Sequence, residues 1–503
     1  MGAAAGPAES PSLDAALTIA PPDPLEVGAG TVLHLEGTCD PAVEADSLLL
    51  AVADRRFAVD VAVGDHDQRG GGVASGPRPM RWSALAQIPS GMVQRAPSAA
   101  LVLHGRVDGS PAQARLGSLR LASADLAFAP PPPSVVVGDG VALIAICMAT
   151  HEPDRERLAT QLDSIRAQSW RNWVCVISDD ASSPGAYADL LELTGDDERF
   201  VVSRSEGRLG FYRNFERALR MTPPEASFVA LADQDDVWYA RKLASLRQEL
   251  CRNPATQLAY SDMRIVDEHG DLISDTYWIL RGNRNDDLTS LLVANTVTGA
   301  ASLARRELLD VALPFPPPIG RPYHDHWLAV CALAAGGLVY LDEPTYDRVR
   351  HRDSVTAGTG HAEALRAMRD TRDGRRSQSA AAGPAAAGGP GPDLGTIYRD
   401  SYLQAVQFAR IVALRLGARL DRRRRRQIER FVAADSRILG LPWLALRSLR
   451  PVLGRDETLG RERALAAAIL WRRRARRRVR RSNVSLLSIG NRRGDRPPGQ
   501  PRP

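Results

Sequence analysis

The sequence predicts an α/β protein, with a small all-β region before its central domain and a basic α-helical region after it. Three observations predict this order. Short apolar and polar runs alternate over residues 26–129, buried strands alternate with amphipathic helices from residue 141 onward, and arginine-rich helical segments follow residue 394. Since 503 residues exceed one ordinary hydrophobic core, we expect two or three folded units.

The first region is typical of a small antiparallel β domain with a sandwich-like fold. Residues 31–35 and 57–63 alternate between apolar and polar side chains, and Gly, Pro and Asp turns separate such runs over residues 26–129. We expect residues 1–25 to be disordered. Four prolines at positions 130–133 predict a stiff spacer before the next domain, and no chemistry is indicated in this region.

The central domain is predicted over residues 134–373. A nearly continuous apolar run at 141–149 predicts a buried strand, and residues 154–168 place Leu158, Leu162 and Ile165 on one helical face. Further strands are expected at 173–177, 200–202 and 228–232, with helices near 187–193 and 211–219. Such alternation is typical of an α/β domain with a largely parallel sheet.

The end of the chain is basic. We expect a flexible linker over residues 374–394, a basic α-helical region over 395–482 and a disordered tail over 483–503. From Ile397 onward 28 arginines oppose 8 acids, a charge of +20, so the net charge of +6 leaves −14 for the rest of the chain. Three interpretations are open for this region: nucleic-acid binding, adsorption to anionic lipid, and a solvated helical bundle. No groove-reading motif accompanies the arginines, whereas the apolar residues 464–471 beside them favour an anionic membrane surface.

Cysteine usage and hydropathy predict a cytoplasmic protein. The five cysteines are scattered and odd in number, which argues against a disulfide framework, and we interpret them as core thiols. No run of about 18 uncharged apolar residues is present, and the N-terminal residues lack the basic and apolar parts of a signal peptide. The basic region would allow peripheral contact with the inner face of the plasma membrane.

Polar clusters follow three of the predicted strands, at residues 150–152, 178–180 and 233–236. Ligands of open α/β sheets bind beyond the carboxyl ends of the strands. An Asp after a strand is also a common turn or helix-cap residue, but three clusters on one edge favour a site. Carboxylates crowded on one loop repel each other unless a cation lies among them, and such oxygen ligands suit Mg²⁺ or Mn²⁺ together with substrate phosphates. Residues 233–236 are therefore predicted to form part of a metal and diphosphate site.

Six motifs in this order resemble the family 2 glycosyltransferases, and within them the rhamnosyltransferase-like branch. They are VALIAICMATHE, VCVISDDASSPG, EGRLGFYRNFERAL, FVALADQDDVWYARKL, HDHW and RVRHRDSVTAG, and the resemblance covers about residues 141–358. It implies a GT-A fold with a Rossmann-like nucleotide half, a nucleotide-diphosphate sugar donor and a Mg²⁺ or Mn²⁺ cofactor. We expect dTDP-rhamnose as the first donor to test.

The resemblance also implies roles for individual residues. Asp180 corresponds to the carboxylate that binds the pyrimidine base, and Asp179, Thr150 and Glu152 lie on the same nucleotide side. Asp233 and Asp235 correspond to a DxD pair, the first nearer the ribose and the second on the metal.

Asp325 corresponds to the catalytic base of the family. It would take the proton from an acceptor hydroxyl as that oxygen attacks the anomeric carbon from the face opposite the diphosphate, so the anomeric configuration should invert. An ion pair with Arg321 is the structural alternative for Asp325. The neighbouring His324 and His326 suggest zinc only weakly, because no third ligand follows, and we reject a zinc site.

Four further residues complete the predicted site. Asp236 is expected to cap a helix that begins at Trp238. Trp238 itself is assigned to the nucleotide-sugar site, although packing is the commoner role of such a residue. Lys242 is the only lysine in the chain, which favours the interpretation that a compact ammonium is needed there to support the acidic residues. The alternative is that the lysine was retained by chance on an exposed helix face. His351 either contacts the donor diphosphate or is a surface histidine.

The sequence thus favours an inverting, metal-dependent sugar transfer to a hydroxyl of a cell-envelope or lipid-linked glycan. A nucleotidyltransferase is one alternative, but the Gly-rich basic loop that it needs after the first strand is missing from ATHEPDRER. A transferase-like scaffold without activity is the other. The joint presence of Asp180, Asp233, Asp235 and Asp325 argues against it.

Overall fold

The computed structural model describes most of the chain and divides it into two compact units. The described residues are 13, 15–17, 25–28, 30–40, 42–63, 80–89, 92, 98–122, 141–278, 282–283, 286–350, 393–437, 439–450, 457–458 and 460–490. One unit comprises residues 1–125 together with 467–503, and the other comprises residues 126–466. Each unit is described by itself.

The first unit contains eight strands, because short alternating runs bury every second side chain. In Thr31–Cys39 and Met80–Ile88 buried residues alternate with partly exposed ones along most of each strand. One strand, Arg55–Val63, pairs through its first half with one neighbour and through its second half with another. The strands are β1 Ala15–Leu17, β2 Leu25–Gly28, β3 Thr31–Cys39, β4 Leu49–Val52, β5 Arg55–Val63, β6 Met80–Ile88, β7 Ser98–Val107 and β8 Ser110–Ala122, in the spatial order β1, β3, β6, β5, β4, β7, β8, β2.

The second unit is built on a nine-stranded mixed sheet with helices packed against it. Its strands are β9 Leu143–Thr150, β10 Trp173–Asp179, β11 Phe200–Arg204, β12 Ala226–Ala232, β13 Val237–Trp238, β14 Leu258–Asp267, β15 Leu272–Ser274, β16 Ser302–Arg305 and β17 Leu338–Arg350. The spatial order is β11, β10, β9, β12, β16, β14, β17, β13, with β15 paired to β14. Strands β9 to β12 run parallel, and β16 is antiparallel to both of its neighbours. The predicted mixed α/β fold is confirmed.

The helices of the second unit begin where the sequence supplies capping groups. Asp154 accepts a hydrogen bond from the N–H of Arg157, and Ser183 caps the next helix, whose first residue is a proline. The helices are α1 Arg155–Arg166, α2 Pro184–Thr194, α3 Phe211–Arg220, α4 Lys242–Arg252, α5 Leu288–Val293, α6 Leu309–Ala312, α7 His324–Ala335, α8 Leu394–Ile397, α9 Gln404–Leu416, α10 Arg422–Val432, α11 Gly440–Arg447 and α12 Arg461–Gly490. From Ala467 onward, α12 belongs to the first unit.

The C-terminal helices up to residue 466 pack on the α/β core. Phe408 of α9 is fully buried, and its ring lies 5.1 Å from that of Trp327 in α7. Arg415 donates hydrogen bonds to the backbone carbonyls of Ala312 and Pro314. The predicted basic region of residues 395–482 is therefore divided between the two units, and the predicted domain boundaries stay predictions.

Two expectations about the whole chain can be compared with the described residues. Four cysteines are buried and free, but Cys251 is exposed on α4, so the interpretation of all five as core thiols is wrong for that residue. Among the described residues, no helix combines the length and the apolar character that a bilayer crossing requires. The predicted spacer, most of the predicted linker and the end of the predicted tail lie outside the described residues.

Candidate active site

The end of β10 places Asp179 in a fully buried position. Its carboxylate accepts hydrogen bonds from the hydroxyl of Ser182 at 2.5 Å, from the N–H of Ser182 at 3.1 Å and from the hydroxyl of Thr150 at 3.2 Å. Arg204 approaches it to 3.6 Å. Asp179 and Thr150 therefore hold the ends of β9 and β10 together, and neither side chain is exposed to a ligand.

Asp180 is also buried, and both of its carboxylate oxygens are used within the protein. They accept the N–H groups of Leu209 at 2.5 Å and Gly210 at 2.8 Å, immediately before α3. A carboxylate at this place satisfies backbone donors and interacts favourably with the helix N-terminus. The structure thus gives Asp180 a role in fixing the 209–210 loop, in addition to the predicted role in base binding.

Glu152 lies on the loop after β9 and carries strain. Its φ of 42° is in the left-handed region, which residues other than glycine rarely adopt, and such strain tends to occur at functional sites. Its carboxylate accepts the N–H of Ser183 at 2.5 Å and the hydroxyl of Ser183 at 2.9 Å. These hydrogen bonds lower the pKa of Glu152, so it is ionised at neutral pH. The side chain is exposed at the edge of the site.

Gln234 connects the loop after β9 to the acidic loop, which we define as residues 233–236. Its side chain accepts the N–H of His151 at 2.8 Å and donates to the carbonyl of the same residue at 3.2 Å. The polar clusters after β9, β10 and β12 are therefore brought to one edge of the sheet, as predicted.

The acidic loop contains carboxylates whose ionised forms are destabilised by their surroundings. Burial and the charge of Asp235 raise the pKa of Asp233 to about 6. Burial, followed by the charges of Asp233 and Asp235, raises the pKa of Asp236 well above its usual range. Oδ2 of Asp236 is buried and has no hydrogen-bond partner among the described residues. A buried carboxylate without full pairing indicates a place where a positive charge is favourable.

Asp236 does not have the role that the sequence suggested. Trp238 lies in the short strand β13, and helix α4 begins only at Lys242, with Arg241 at its cap position and no side-chain cap. The predicted cap by Asp236 is wrong, because the chain continues as a strand paired with β17 before it turns into the helix.

Lys242 and Trp238 are buried behind the acidic loop. The ammonium of Lys242 is fully buried, lies 3.7 Å from the ring centre of Trp238 and 4.3 Å from that of Tyr346, and donates to the carbonyl of Ala300. Burial lowers its pKa, while Asp236 and Asp233 act in the opposite direction. Both side chains are enclosed, so the alternative of an exposed helix face for Lys242 is wrong. The assignment of Trp238 and Lys242 to the nucleotide-sugar site stays a prediction.

Asp325 lies in the first turn of α7 and is held by three donors. Its carboxylate accepts the N–H of His326 at 2.6 Å, the amide of Asn295 at 3.0 Å and the N–H of Gly299 at 3.3 Å. Burial nevertheless raises its pKa to about 7; the charge of Asp233 adds to that rise, and Arg348 opposes it. No ion pair joins Asp325 to Arg321, although the structure describes both residues.

The two histidines that flank Asp325 are packing residues. The ring of His324 stacks on Phe215 at 3.7 Å, and burial lowers its pKa to about 3, so it is neutral. The ring of His326 lies 2.6 Å from the carbonyl of Leu291. Neither histidine forms part of a metal cluster: among the described residues, no group of three or more His, Cys, Asp or Glu side chains is arranged to hold a metal.

Arg348 is a site residue that the sequence analysis missed. It lies on β17, and its charge acts on Asp233, Asp236 and Asp325 together. The residue stands in the motif RVRHRDSVTAG, so a signal was present, but one arginine among many could not be selected from the pattern. His351, three residues later, lies outside the described residues.

The residues present fit a divalent cation at the acidic loop. The donors are carboxylates only, which hard cations prefer. Burial, followed by repulsion from Asp235, raises the pKa of Asp233, and a nearby cation would relieve that repulsion. Asp235 lines a surface cavity of about 220 Å³ together with Asp236, Asp347 and Arg157, among others. With one or two protein carboxylates, the rest of the coordination shell would come from substrate phosphates and water.

Comparison with known proteins finds a family match within the second unit. Residues 145–312 match the model of the glycosyl transferase family 2. An uncharacterized protein of Sinorhizobium fredii is 26% identical over 129 residues, which are 25% of this chain and 14% of that protein. An uncharacterized glycosyltransferase of Methanocaldococcus jannaschii is 22% identical over 134 residues, 26% of this chain and 46% of the relative. The chain thus spans less than half the length of these relatives.

Solved structures give a weaker likeness. The mannosyltransferase PcManGT from Pyrobaculum calidifontis in complex with GDP-Man and Mn²⁺ is 17% identical with a TM-score of 0.36, over 68% of this chain and 90% of that chain. TarS 1-349 of S. aureus in complex with UDP-GlcNAc is 14% identical with a TM-score of 0.37, over 66% and 92%. At these TM-scores the likenesses carry no argument about the fold. The family match over residues 145–312 supports the predicted glycosyltransferase domain. The activity of the whole chain and the rhamnosyltransferase-like branch stay predictions.

Proposed function

We propose that this chain, whose residues 145–312 match the glycosyl transferase family 2 model, transfers a sugar from a nucleotide-diphosphate sugar to an acceptor hydroxyl with inversion. The observation that carries the proposal is the environment of Asp325. Its carboxylate is fixed by three donors, has a pKa of about 7 and lies close enough to Asp233 for the two charges to interact. A base with a pKa near neutrality, next to a loop suited to a diphosphate and its metal, is what this transfer requires.

Asp325 is the general base of the proposed reaction. With a pKa of about 7, Asp325 can accept the proton of the acceptor hydroxyl as the new glycosidic bond forms. Asn295 and the N–H of Gly299 orient the carboxylate. The bond between the anomeric carbon and the diphosphate breaks on the opposite face, which inverts the configuration.

The acidic loop would bind the donor diphosphate through Mg²⁺ or Mn²⁺. Asp235 would hold the metal, with Asp233 beside it nearer the ribose. When bound, the metal would neutralise the charge that develops on the departing diphosphate. Arg348 and the buried Lys242 stabilise the ionised form of Asp233, since both lower its pKa.

The nucleotide would lie along the ends of β9 and β10. Asp180, Asp179, Thr150 and Glu152 shape this edge, and Glu152, which is exposed, is available for a direct contact. The proposed donor to test first is dTDP-rhamnose, and the proposed acceptor is a hydroxyl of a cell-envelope or lipid-linked glycan. His351 is proposed to contact the diphosphate.

A donor screen tests this proposal directly. Purified full-length protein is incubated with dTDP-, UDP- and GDP-sugars, with Mn²⁺, Mg²⁺ or EDTA, and nucleoside-diphosphate release is measured with and without a glycan extract of the cell envelope. We expect release with one donor that depends on metal and is stimulated by the extract. Metal-independent release, or none with any donor, contradicts the proposal.

We also propose that the arginine-rich region binds an anionic membrane surface. Several of its arginines are used inside the protein: Arg447 and Arg450 pair with Asp287, and Arg472 pairs with Asp60 within the first unit. Helix α10, in contrast, exposes Arg422, Arg423, Arg426 and Arg430. Each arginine near an anionic surface contributes about 1 kcal/mol, so a group of this size supports weak, salt-sensitive adsorption.

A charge-matched pair of variants tests the membrane proposal. Replacing Arg422, Arg423 and Arg426 with Gln removes three exposed charges of α10, while replacing Arg55, Arg56 and Arg115 with Gln removes three exposed charges of the first unit. We expect only the first variant to lose co-sedimentation with phosphatidylglycerol vesicles at low salt. Equal binding of both variants contradicts a role for α10.

A further inference from the structure

We propose that Tyr277, Trp278 and Tyr340 form an aromatic platform that binds a saccharide ring of the acceptor. The inference rests on the proposed function, because it places the acceptor of the same sugar transfer. It adds a binding site that the family match does not assign.

The three rings form one surface. Trp278 lies edge-on to Tyr277, with ring centres 5.2 Å apart, and edge-on to Tyr340, with ring centres 6.3 Å apart. Behind them Tyr260 is buried and tilted against Tyr340 at 5.3 Å. Since Tyr277, Trp278 and Tyr340 are only half-buried, each keeps part of its side chain in contact with solvent.

The segment that carries Tyr277 and Trp278 is held in place by a buried carboxylate. Asp262 on β14 accepts the N–H of Tyr277 at 3.0 Å and the hydroxyl of Thr276. The same hydroxyl oxygen accepts the N–H of Trp278 at 3.1 Å. Burying a charge to fix two aromatic residues in a loop is unfavourable unless their arrangement is needed, so the network indicates a preorganised surface.

The platform lies on the acceptor side of the site. The nucleotide-side residues are at β9 and β10, the acidic loop follows β12, and the platform belongs to β14, β17 and the segment after β15, on the other flank of β12. Strand β17 carries both Tyr340 of the platform and Arg348, whose charge acts on Asp325. The platform is therefore placed on the side of β12 away from β9 and β10.

The chemistry of the surface fits a sugar ring. A hexose has an apolar C–H face, which an aromatic ring can cover, and an edge of hydroxyl groups that needs hydrogen-bond partners. Polar groups border the rings: the side-chain carbonyl of Asn283 accepts the hydroxyl of Tyr260 at 2.5 Å, and the charges of Asp262 and Asp342 are close enough to raise the pKa of Tyr340 further than burial alone. A purely apolar chain, such as a prenyl tail, would desolvate these groups without pairing them.

Fluorine NMR of the full-length protein tests the platform without any turnover. The chain has eight tryptophans, so labelling with 5-fluorotryptophan gives a small set of resonances, and Trp278→Phe identifies the one from Trp278. The probes are methyl glycosides of rhamnose, glucose, galactose and mannose, at up to about 100 mM because one small ring binds weakly. We expect at least one glycoside to shift the Trp278 resonance saturably.

The matched control is Trp170, which is half-buried in the same unit and packs against Arg247 at 4.3 Å. Its resonance, identified with Trp170→Phe, should not move. No shift at Trp278 with any glycoside, or a shift only with farnesyl phosphate, overturns the proposal. Nucleoside-diphosphate binding is measured separately with Mn²⁺. If the protein does not bind any nucleoside diphosphate, the proposed function itself is wrong.

Activity gives the second readout once a donor is known. Trp278→Ala should raise the KM for the glycan acceptor about tenfold, the loss expected for one aromatic stacking contact, and leave nucleoside-diphosphate affinity within about twofold. Trp278→Phe should restore most of the acceptor affinity, because it keeps an aromatic face. Equal acceptor KM values for Trp278→Ala and Trp170→Ala overturn the proposal.

Discussion

The carboxylates at the ends of β9 and β10 and those around the acidic loop are the same residue types at the same edge of one sheet, yet their environments are opposite. Asp179 and Asp180 accept two or more hydrogen bonds each from neighbouring hydroxyl and N–H groups. Asp233 and Asp325 have pKa values raised by burial, and Asp325 does so although it accepts three hydrogen bonds. Asp179 and Asp180 stabilise loops. The ionised forms of Asp233 and Asp325 are unfavourable, and a metal or a proton can relieve this.

The largest expected effect follows removal of the base. Asp325→Asn keeps the shape of the side chain but cannot accept a proton, so the rate of sugar transfer should fall about 10² to 10⁴-fold. Donor affinity should stay unchanged, which initial rates and calorimetry on one preparation can check.

Asp310→Asn is a suitable control for this experiment, since Asp310 is an exposed acid of the same unit. It should keep the full rate. A near-normal rate for Asp325→Asn would mean that another group accepts the proton.

The stability of the folded protein should depend on pH through Asp325. The pKa of Asp325 is raised in the folded state, to about 7 from 3.8, so its favourable contribution to folding is complete below about pH 4 and is lost as the pH rises to 7. Asp325→Asn removes this pH-dependent loss of stability. Its thermal midpoint should therefore exceed that of the parent protein at pH 8 and not at pH 4, and equal differences at both pH values would contradict the raised pKa.

Two further substitutions, one in each group of carboxylates, should differ in their effect on the free energy of unfolding. Asp180→Ala leaves the N–H groups of Leu209 and Gly210 without their acceptor and should cost about 1 to 3 kcal/mol of unfolding free energy. Asp236→Asn should cost less than about 1 kcal/mol, because the raised pKa of Asp236 already favours its neutral form. Denaturant titration of both variants measures the difference, and equal losses would remove the distinction between the groups.

The effect expected at Lys242 is one of packing. Its enclosed position between Trp238 and Tyr346 fits an ammonium, so Lys242→Arg should destabilise the unit by about 1 to 3 kcal/mol through overpacking. Lys242→Met should be better tolerated, but it removes a charge that lowers the pKa of Asp233. Chemical denaturation ranks the two variants, and a more stable arginine variant would contradict this packing argument.

The sequence predicted the part of the second unit before β13 well, because long apolar periodicity determines it. The expected strand at 173–177 is Trp173–Asp179, and the expected helix near 211–219 is Phe211–Arg220. The half after β13 was not divided into elements. Its strands β15 and β16 have only three and four residues, too short for a period to be recognised.

The candidate site was predicted by residue type but not by environment. Sequence alone marked Asp233, Asp235 and Asp325, yet it could not show that Asp236 is buried behind them or that Lys242 is enclosed by two aromatic rings. These features depend on the pairing of β13 with β17, which joins residues more than a hundred positions apart. Local patterns carry no information about such contacts.

Calorimetry tests directly whether the acidic loop binds a metal and a diphosphate. Nucleoside diphosphates are titrated into the parent protein, Asp235→Ala and Asp236→Asn, each with Mn²⁺ and with EDTA. We expect Mn²⁺ to strengthen binding of one nucleotide at least tenfold in the parent protein and in Asp236→Asn, whereas Asp235→Ala should lose this gain. An affinity that is independent of Mn²⁺ in the parent protein, or unchanged in Asp235→Ala, would contradict this expectation.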